Sequence, residues 1–283
     1  MSGTLTVVGT PIGNLGDFSP RAREALAAAD FIAAEDTRVT LKLLNHFGLK
    51  KPMLSYYEHN KRGRGAVICE RIEAGENCVL VSDAGMPAIS DPGEDLVAEC
   101  AARGIRVLAV PGPTAMATAL ALSGLPTGRF TFEGFLSVNK KSRRDHLEEL
   151  RGEKRTMVFY EAPHKLAATL RDLLDTLGDR RIALARELTK IHEEVIRTTL
   201  AEAANRFADG SARGEFVLVV EGAAQEAPAE AVTVEEAAAL ALSLAAEESL
   251  PLSEACRRAA AQTGLPRNRI YKAASAQHEA SRP

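Results

Sequence analysis

Tryptophan is absent from the 283 residues, and aromatic residues make up only 5%. Recognition of nucleobases by a row of stacked rings is therefore not expected. The four cysteines, Cys69, Cys78, Cys100 and Cys256, stand far apart, with no CxxC pair and no histidine at ligand spacing. This excludes a disulfide framework and a zinc site, leaves reduced thiols, and gives no expectation of a metal. Nowhere do about 18 apolar residues run together, so no membrane-spanning helix is expected. The first residues carry neither a basic segment nor a long apolar one and do not read as a secretory signal. Charge is nearly balanced, 35 Lys and Arg against 38 Asp and Glu, for a formal net charge of −3. A uniformly basic coat for nucleic acid is excluded, but a local basic face is not. These absences describe a soluble, intracellular and cytoplasmic chain.

Apolar residues make up 46%, enough for a sizeable core, and the length suits two domains with room for a small third. Short β-rich runs alternate with helical stretches from the start. Strands are expected at 5–8, 31–34, 78–82 and 105–110, and helices at 21–29, 39–47 and 94–102. That rhythm means βαβ units and a mostly parallel sheet. After Pro113 the pattern changes. A helix at 114–123 precedes a hinge-like Leu125-Pro126-Thr127-Gly128. Strands at 130–135, 157–160, 182–187, 194–200 and 216–220 follow, with helices at 145–150, 165–177 and 201–208. Two of these strands nearly abut, which predicts a mixed sheet with antiparallel pairs. Residues 221–250 hold seven Glu and no Lys or Arg, whereas 251–283 hold six Arg or Lys and two Glu. A switch this sharp marks a linker and a separate helical tail. The expected organisation is an α/β domain at 1–112, a second at 113–224 and a helical tail at 232–283.

Four loops fall at the carboxyl ends of expected strands, where open α/β sheets bind ligands. Gly9-Thr10-Pro11-Ile12-Gly13-Asn14 follows neither the dinucleotide nor the P-loop pattern, and a tight turn is its simplest reading. In the second loop Asp83 ends an apolar strand, so its carboxylate needs donors that a ligand would supply. Asp91, before Pro92-Gly93, reads instead as a helix-start residue. In the third, Val110-Pro111-Gly112-Pro113-Thr114-Ala115 runs a strand into a helix N-terminus, which suits a carboxylate or a ligand's polar edge, although Thr114 also fits a simple cap. In the fourth, Tyr160, Glu161 and His164 are candidate site groups, while a lone histidine is more often structural.

The ordered set of motifs is more specific than any one of them. Leu5-Thr-Val-Val-Gly-Thr-Pro-Ile-Gly-Asn-Leu15, Ala34-Glu-Asp-Thr-Arg38, Ser82-Asp-Ala-Gly-Met-Pro87, Ser90-Asp-Pro-Gly93, Val110-Pro-Gly-Pro-Thr-Ala115, Phe159-Tyr-Glu-Ala-Pro-His164 and Arg186-Glu-Leu-Thr-Lys190 stand in this order. Together they resemble the tetrapyrrole methylase superfamily, and within it the branch that methylates small-subunit ribosomal RNA. The resemblance spans about residues 4–222, with a matching tail. It implies two α/β domains with a donor in the cleft between them, plus a small all-α, helix-turn-helix-like tail. It implies S-adenosyl-L-methionine as methyl donor, the 2′-hydroxyl of a cytidine in 16S ribosomal RNA of the small subunit as acceptor, and a homodimer. The family's donor site falls on Pro11, Asp83, Ala84, Gly85, Met86, Thr114, Ala115, Tyr160, Arg186, Leu188, Gly214 and Glu215. Many tetrapyrrole methylases have a more glycine-rich first loop, so Thr10-Pro11-Ile12-Gly13-Asn14 favours the RNA branch over a precorrin substrate. The competing readings are the same fold acting on a tetrapyrrole or protein acceptor, and a donor-binding RNA assembly factor without catalysis.

Methyl transfer from a sulfonium needs positioning and help with the acceptor's proton. Glu161, Asp36 and Lys190 are the expected catalytic groups, Glu161 first because its loop resembles the donor cleft. For RNA, Arg38 and the run Lys140, Lys141, Arg143 and Arg144 are candidates, as is the run from Lys61 to Arg64; a solvated helix face is an equal reading of either run. The tail reads as two helices around Gly264. Ser253 is expected to cap the first, and Ala255, Ala259 and Leu265 to form its inner face. Arg267, Asn268, Arg269 and Lys272 lie on the second, as on a recognition helix. An alanine-rich docking element is the alternative.

Overall fold

The computed structural model describes residues 2–224 and 232–280. They form two compact units, Met1–Ala223 and Ala224–Pro283. Most of the expected linker, and tail residues 281–283, lie outside the described residues.

The first half of the larger unit is a parallel sheet. Its strands are β1 (Thr4–Val8), β2 (Phe31–Ala34), β3 (Met53–Ser55), β4 (Cys78–Val81) and β5 (Arg106–Val110), in the order β3-β2-β4-β1-β5. β2 and β4 are buried at every residue, as strands covered on both faces must be. On one face α1 (Pro20–Ala28) and α2 (Thr37–His46) pack Ala22, Leu26 and Leu44 against Ile32, Val79 and Val81. On the other, α3 (Lys61–Glu73) and α4 (Glu94–Ala102) pack Ile68, Cys69, Ile72, Leu96 and Cys100 against Leu5, Phe31 and Leu80.

β3 was not expected, and α3 only as one reading of its opening basic run. β3 has only three residues, and α3 opens on a basic run broken by Gly63 and Gly65, poor helix formers; burial of its apolar stripe overrides that weakness. One helix start and one cap also differ. Asp36 accepts the N–H of Arg38 at 2.8 Å and starts α2 at Thr37. The N-cap of α4 is Gly93, not Asp91, and no side chain caps it.

The second half is a mixed sheet of β6 (Phe130–Phe135), β7 (Thr156–Glu161), β8 (Arg181–Arg186), β9 (Glu194–Thr199) and β10 (Phe216–Val220), in the order β6-β7-β10-β8-β9. β6 runs parallel to β7, and the other pairs are antiparallel. One face carries α6 (Lys140–Glu149), α7 (Pro163–Leu177) and α8 (Leu200–Arg206). The other takes α5 (Ala115–Leu122), whose Ala119 and Leu120 join Val158, Ala183 and Val219. α6 starts five residues before the expected 145, because Asn139 Oδ1 accepts the N–H groups of Lys141 and Ser142.

Among the described residues the smaller unit has three helices, α9 (Val234–Glu247), α10 (Leu252–Thr263) and α11 (Arg267–Ala280); the last two flank Gly264 as expected, and α9 is additional. Thr233 and Glu236 form a reciprocal capping box that starts α9. Ala237, Ala241, Cys256, Ala259, Ile270 and Ala274 make its core. Ser253 does not cap α10; Pro251 holds the N-cap position, with no side-chain bond.

Candidate active site

β1, β2, β4 and β5 are parallel neighbours, so the loops that follow them emerge at one edge. The loops after β1 and β5 meet through paired glycines: a β-carbon on Gly9 would stand 2.7 Å from Gly112 Cα, and one on Gly112 would stand 2.8 Å from Gly9 Cα. Thr10 and Gly85 exchange backbone hydrogen bonds at 2.9 and 3.1 Å, joining the first loop to the loop after β4. Ile12 then crosses to the second sheet and packs among Ala119, Val158, Ala185 and Val217. Gly13, at φ 152°, leaves no room for a side chain beside Lys190.

These contacts frame a cleft of about 440 Å³ with walls from both sheets. Ile12, Glu35, Asp83, Ala84, Gly85, Met86, Ile89, Ser90, Asp91, Thr114 and Ala115 line it from the first half. Phe135, Tyr160, Glu161, Ala162, Pro163, Ala185, Leu188, Glu215, Phe216 and Val217 line it from the second half. Of the expected donor residues, Asp83, Ala84, Gly85, Met86, Thr114, Ala115, Tyr160, Leu188 and Glu215 meet here. Pro11, Arg186 and Gly214 do not. Pro11 lines a neighbouring hollow, Arg186 donates to the Arg213 carbonyl at 2.6 Å, and Gly214 lies beneath the Glu187 side chain.

Local structure aims these groups. Tyr160 Oη accepts the Met116 N–H at 3.1 Å, tying α5 to the cleft wall, and burial pushes its phenol up. Leu188 sits between Glu187 (φ 51°) and Thr189 (φ 65°). Two left-handed non-glycine residues cost roughly 1–3 kcal/mol each and persist only where the surroundings enforce them. Thr114 is at the N-cap of α5 but makes no capping bond, so its hydroxyl is not spent on the helix.

Of the five carboxylates that line the cleft, three come from the first half. Glu35 and Asp91 are half-buried and Asp83 is more open. Asp83 Oδ1 accepts the Asp36 N–H at 3.0 Å, and Glu35 Oε2 accepts the Asp83 N–H at 3.3 Å. Desolvation raises the proton affinity of all three, and repulsion adds to it, from Asp91 and Asp83 on Glu35, from Asp36 on Asp83 and from Asp83 on Asp91. Glu35 and Asp91 were not singled out from the sequence. The rule that drew attention to Asp83, a carboxylate just past an apolar strand, applies equally to Glu35 after β2. Asp91 was hidden by an Asp-Pro-Gly string that looks like a helix start.

None of the three expected catalytic groups offers the cleft a free basic atom. Glu161 lines it but is 4% exposed; Oε1 accepts the Ala162 N–H at 2.8 Å and Oε2 the Thr169 hydroxyl at 2.5 Å. Lys190 is outside the lining and paired at 2.9 Å with both Glu187 and Glu215. Burial opposes its charge, but those two partners outweigh burial and keep it protonated. Asp36 is also outside, and its bonds to Arg38 hold it at about 2. His164 is exposed and not part of the lining.

The expected RNA cations divide. The Arg38 side chain is 86% exposed but paired with Asp36 at 2.7 Å. Lys140, Lys141 and Arg144 are exposed in the first turns of α6, whereas Arg143 pairs with Asp172. Lys61 pairs with Glu58 and Asp95. In the smaller unit Arg267, Arg269 and Lys272 are exposed on α11.

A two-sheet α/β unit with its cleft at the carboxyl edge of a parallel sheet defines a class. Residues 4–204 match the Tetrapyrrole (Corrin/Porphyrin) Methylases and residues 231–278 the RsmI C-terminal HTH domain. The chain belongs to the tetrapyrrole methylase family. It is 48% identical to Ribosomal RNA small subunit methyltransferase I of Synechocystis sp., over 95% of this chain and 96% of that protein. The protein of that name from Thermotoga maritima is 48% identical over 220 residues, 78% of this chain but 99% of its own length. Among solved structures, the uroporphyrin-III C-methyltransferase of Thermus thermophilus complexed with S-adenyl homocysteine is similar in fold. It has a TM-score of 0.54 and 19% identity, over 77% of this chain and 97% of that one.

Proposed function

We infer that this chain transfers a methyl group from S-adenosyl-L-methionine to the ribose 2′-hydroxyl of a cytidine in 16S ribosomal RNA of the small subunit. The cleft is the observation that carries this reading. Its residues fit the donor: Asp83, Asp91 and Glu35 offer negative charge to a sulfonium and an amine. Ile12, Met86, Leu188 and Val217 offer an apolar slot for a flat base. Ala115, in the first turn of α5, offers the positive helix end to a carboxylate. When bound, the donor supplies a methyl group already activated on a sulfonium leaving group.

Two tasks are left to the protein. It must hold a sugar oxygen about 3 to 3.5 Å from the reacting carbon and in line with the leaving group, and it must take the hydroxyl proton. We assign the proton to Asp83. It faces the cleft, one of its oxygens is held by the Asp36 N–H, and its raised proton affinity brings it nearer neutral pH. Glu161, Asp36 and Lys190 act as positioning residues in this scheme. Each is committed to the bonds described above.

Lys140, Lys141 and Arg144 are proposed to meet RNA. Cations at a helix N-terminus oppose its dipole, a cost that phosphate binding would offset. Arg267, Arg269 and Lys272 are proposed as a second contact, and Arg38 as one beside the cleft. The Thermotoga maritima relative has about the length of the larger unit alone, which supports chemistry in that unit and recognition in the tail. We also propose a homodimer in the cytoplasm, where ribosomal subunits are found. Among the described residues no helix is long and apolar enough to cross a membrane.

The test is transfer of labelled methyl groups to purified small subunits, followed by nuclease mapping. Label on the ribose of one cytidine is expected. Label on a base, on protein or nowhere would remove the reading.

A further inference from the structure

Beside the donor cleft, beyond the Thr10–Gly85 pairing, lies a second hollow of about 260 Å³ between the first loop and α2. Among the described residues, Asp83 is the one that lines both cavities. The walls are apolar: Leu15 and Val39 stand at the hollow, 44% and 36% exposed, with Leu43 behind them. Apolar side chains left in water around a concavity mark a surface that meets a partner. Thr40 is 3% exposed and lines the hollow, and among the described residues no group engages its hydroxyl. Lys42, exposed, is a cation without an ion pair among the described residues.

We propose that this hollow seats the unstacked base of the nucleotide being methylated, with Lys42 on a neighbouring phosphate and the ribose bridging to the donor cleft over Asp83. The proposal rests on the reading of RNA ribose methylation and adds where the acceptor lies. A ribose inside a stacked helix cannot enter a protein cleft, so the nucleotide must be splayed out and its base held apart. The volume falls below the roughly 300–1,000 Å³ of pockets for drug-sized ligands, which leaves room for one ring system and none for a macrocycle. Leu15 and Val39 supply the sandwich that aromatic residues supply elsewhere, in keeping with the low aromatic content of the chain. The Thr40 hydroxyl, donor and acceptor at once, can meet a polar edge of the base. Asp83 then stands where the sugar must pass, next to the hydroxyl that loses its proton.

The test uses the full-length protein and purified small subunits. Val39→Trp fills the hollow from its exposed rim, Thr40→Val removes the hydroxyl at constant shape, and Lys42→Ala removes the cation. Donor affinity by calorimetry is expected to stay within about twofold in all three, which also certifies folding. Single-turnover ribose methylation by Val39→Trp is expected to fall about 100-fold through misplacement of the acceptor. Thr40→Val is expected to weaken subunit binding by about tenfold. Lys42→Ala is expected to reduce the slope of log affinity against log salt by about 0.7, the share of one single-strand phosphate. If Val39→Trp and Thr40→Val both label cytidine ribose within about twofold of the parent protein, the hollow is not the acceptor site. If the parent itself labels no RNA, the underlying reading of function falls, and this proposal with it.

Discussion

Replacing Gly9 by alanine puts a methyl group where the loops after β1 and β5 touch. The new carbon would stand 2.7 Å from Gly112 Cα, 2.8 Å from Met86 Sδ and 2.9 Å from Gly112 N, whereas ordinary contact begins near 3.4 Å. The two backbones must therefore separate by about 0.7 Å, and backbone cannot swing aside as a long side chain can. Overpacking of this kind costs about 1 to 3 kcal/mol, a fall in melting temperature of roughly 2 to 6 °C for a chain of this size. The displaced loops carry Ile12 and Thr114, on the cleft walls. Methyl transfer should therefore fall by more than stability alone predicts, approaching about 100-fold for a displacement near 1 Å. Gly112→Ala meets Gly9 at 2.8 to 2.9 Å and should behave alike. The double variant should cost less than the sum, because one separation relieves both clashes. Gly63→Ala, inside α3 with nothing within 4 Å, is the control and should gain about 0.5 to 1 kcal/mol. Calorimetric melting and single-turnover labelling decide the matter. A Gly9→Ala protein that melts and methylates like the parent would show that the glycine pair does not set the cleft.

Four further outcomes are expected. Glu161→Gln weakens two charge-assisted bonds, so it should lose about 1 to 3 kcal/mol in denaturant melts while keeping single-turnover methylation within about tenfold; a loss beyond that would restore Glu161 as the proton acceptor. Asp83→Asn should slow single-turnover labelling by about 10² to 10⁴ with subunit affinity unchanged, and an unchanged rate would remove Asp83 from that role. Glu35, Asp83 and Asp91 have raised proton affinity in the folded chain, so the free protein holds more protons than its unfolded form just above the ordinary carboxylate range. Its stability should fall as pH rises through that window, whereas a cationic donor favours the ionised carboxylates. The gap in melting temperature between donor-bound and free protein should thus widen from about pH 4 to 7, and a constant gap would contradict the fit. Neutralising Arg267, Arg269 and Lys272 together should reduce the salt slope of subunit binding by about 2, and an unchanged slope would take α11 off the RNA.

Most strands were legible because a strand covered on both faces must be apolar throughout, and Phe31–Ala34 and Cys78–Val81 show it residue by residue. β3 escaped because three residues carry no periodicity, and α3 showed only in its opening basic run because Gly63 and Gly65 weaken a pattern that tertiary burial of Ile68 and Ile72 restores. α9 was hidden in an acidic, alanine-rich stretch whose moderate signal becomes a helix through its capping box. At the site, the loops around Asp83, Thr114 and Tyr160 could be found by their place at strand ends. The partners of Glu161 could not. Thr169 lies two turns into α7, and only the packing of α7 on β7 brings its hydroxyl to that carboxylate.

Read alone, the amino-acid order settles the alternation of strands and helices, the change from a parallel to a mixed sheet, and the motif series that marks the family. Each of these is written in neighbouring residues, through periodicity, turn chemistry and apolar runs. Which side chains share the cleft was decided only in three dimensions. Asp91 became a cleft carboxylate because Gly93 started the helix in its stead. Lys190 left the site because Glu187 and Glu215 hold it, and Leu15 and Val39 came to line one hollow. Such pairings depend on distances between residues far apart in the chain, and those are fixed by how the two sheets and their loops pack.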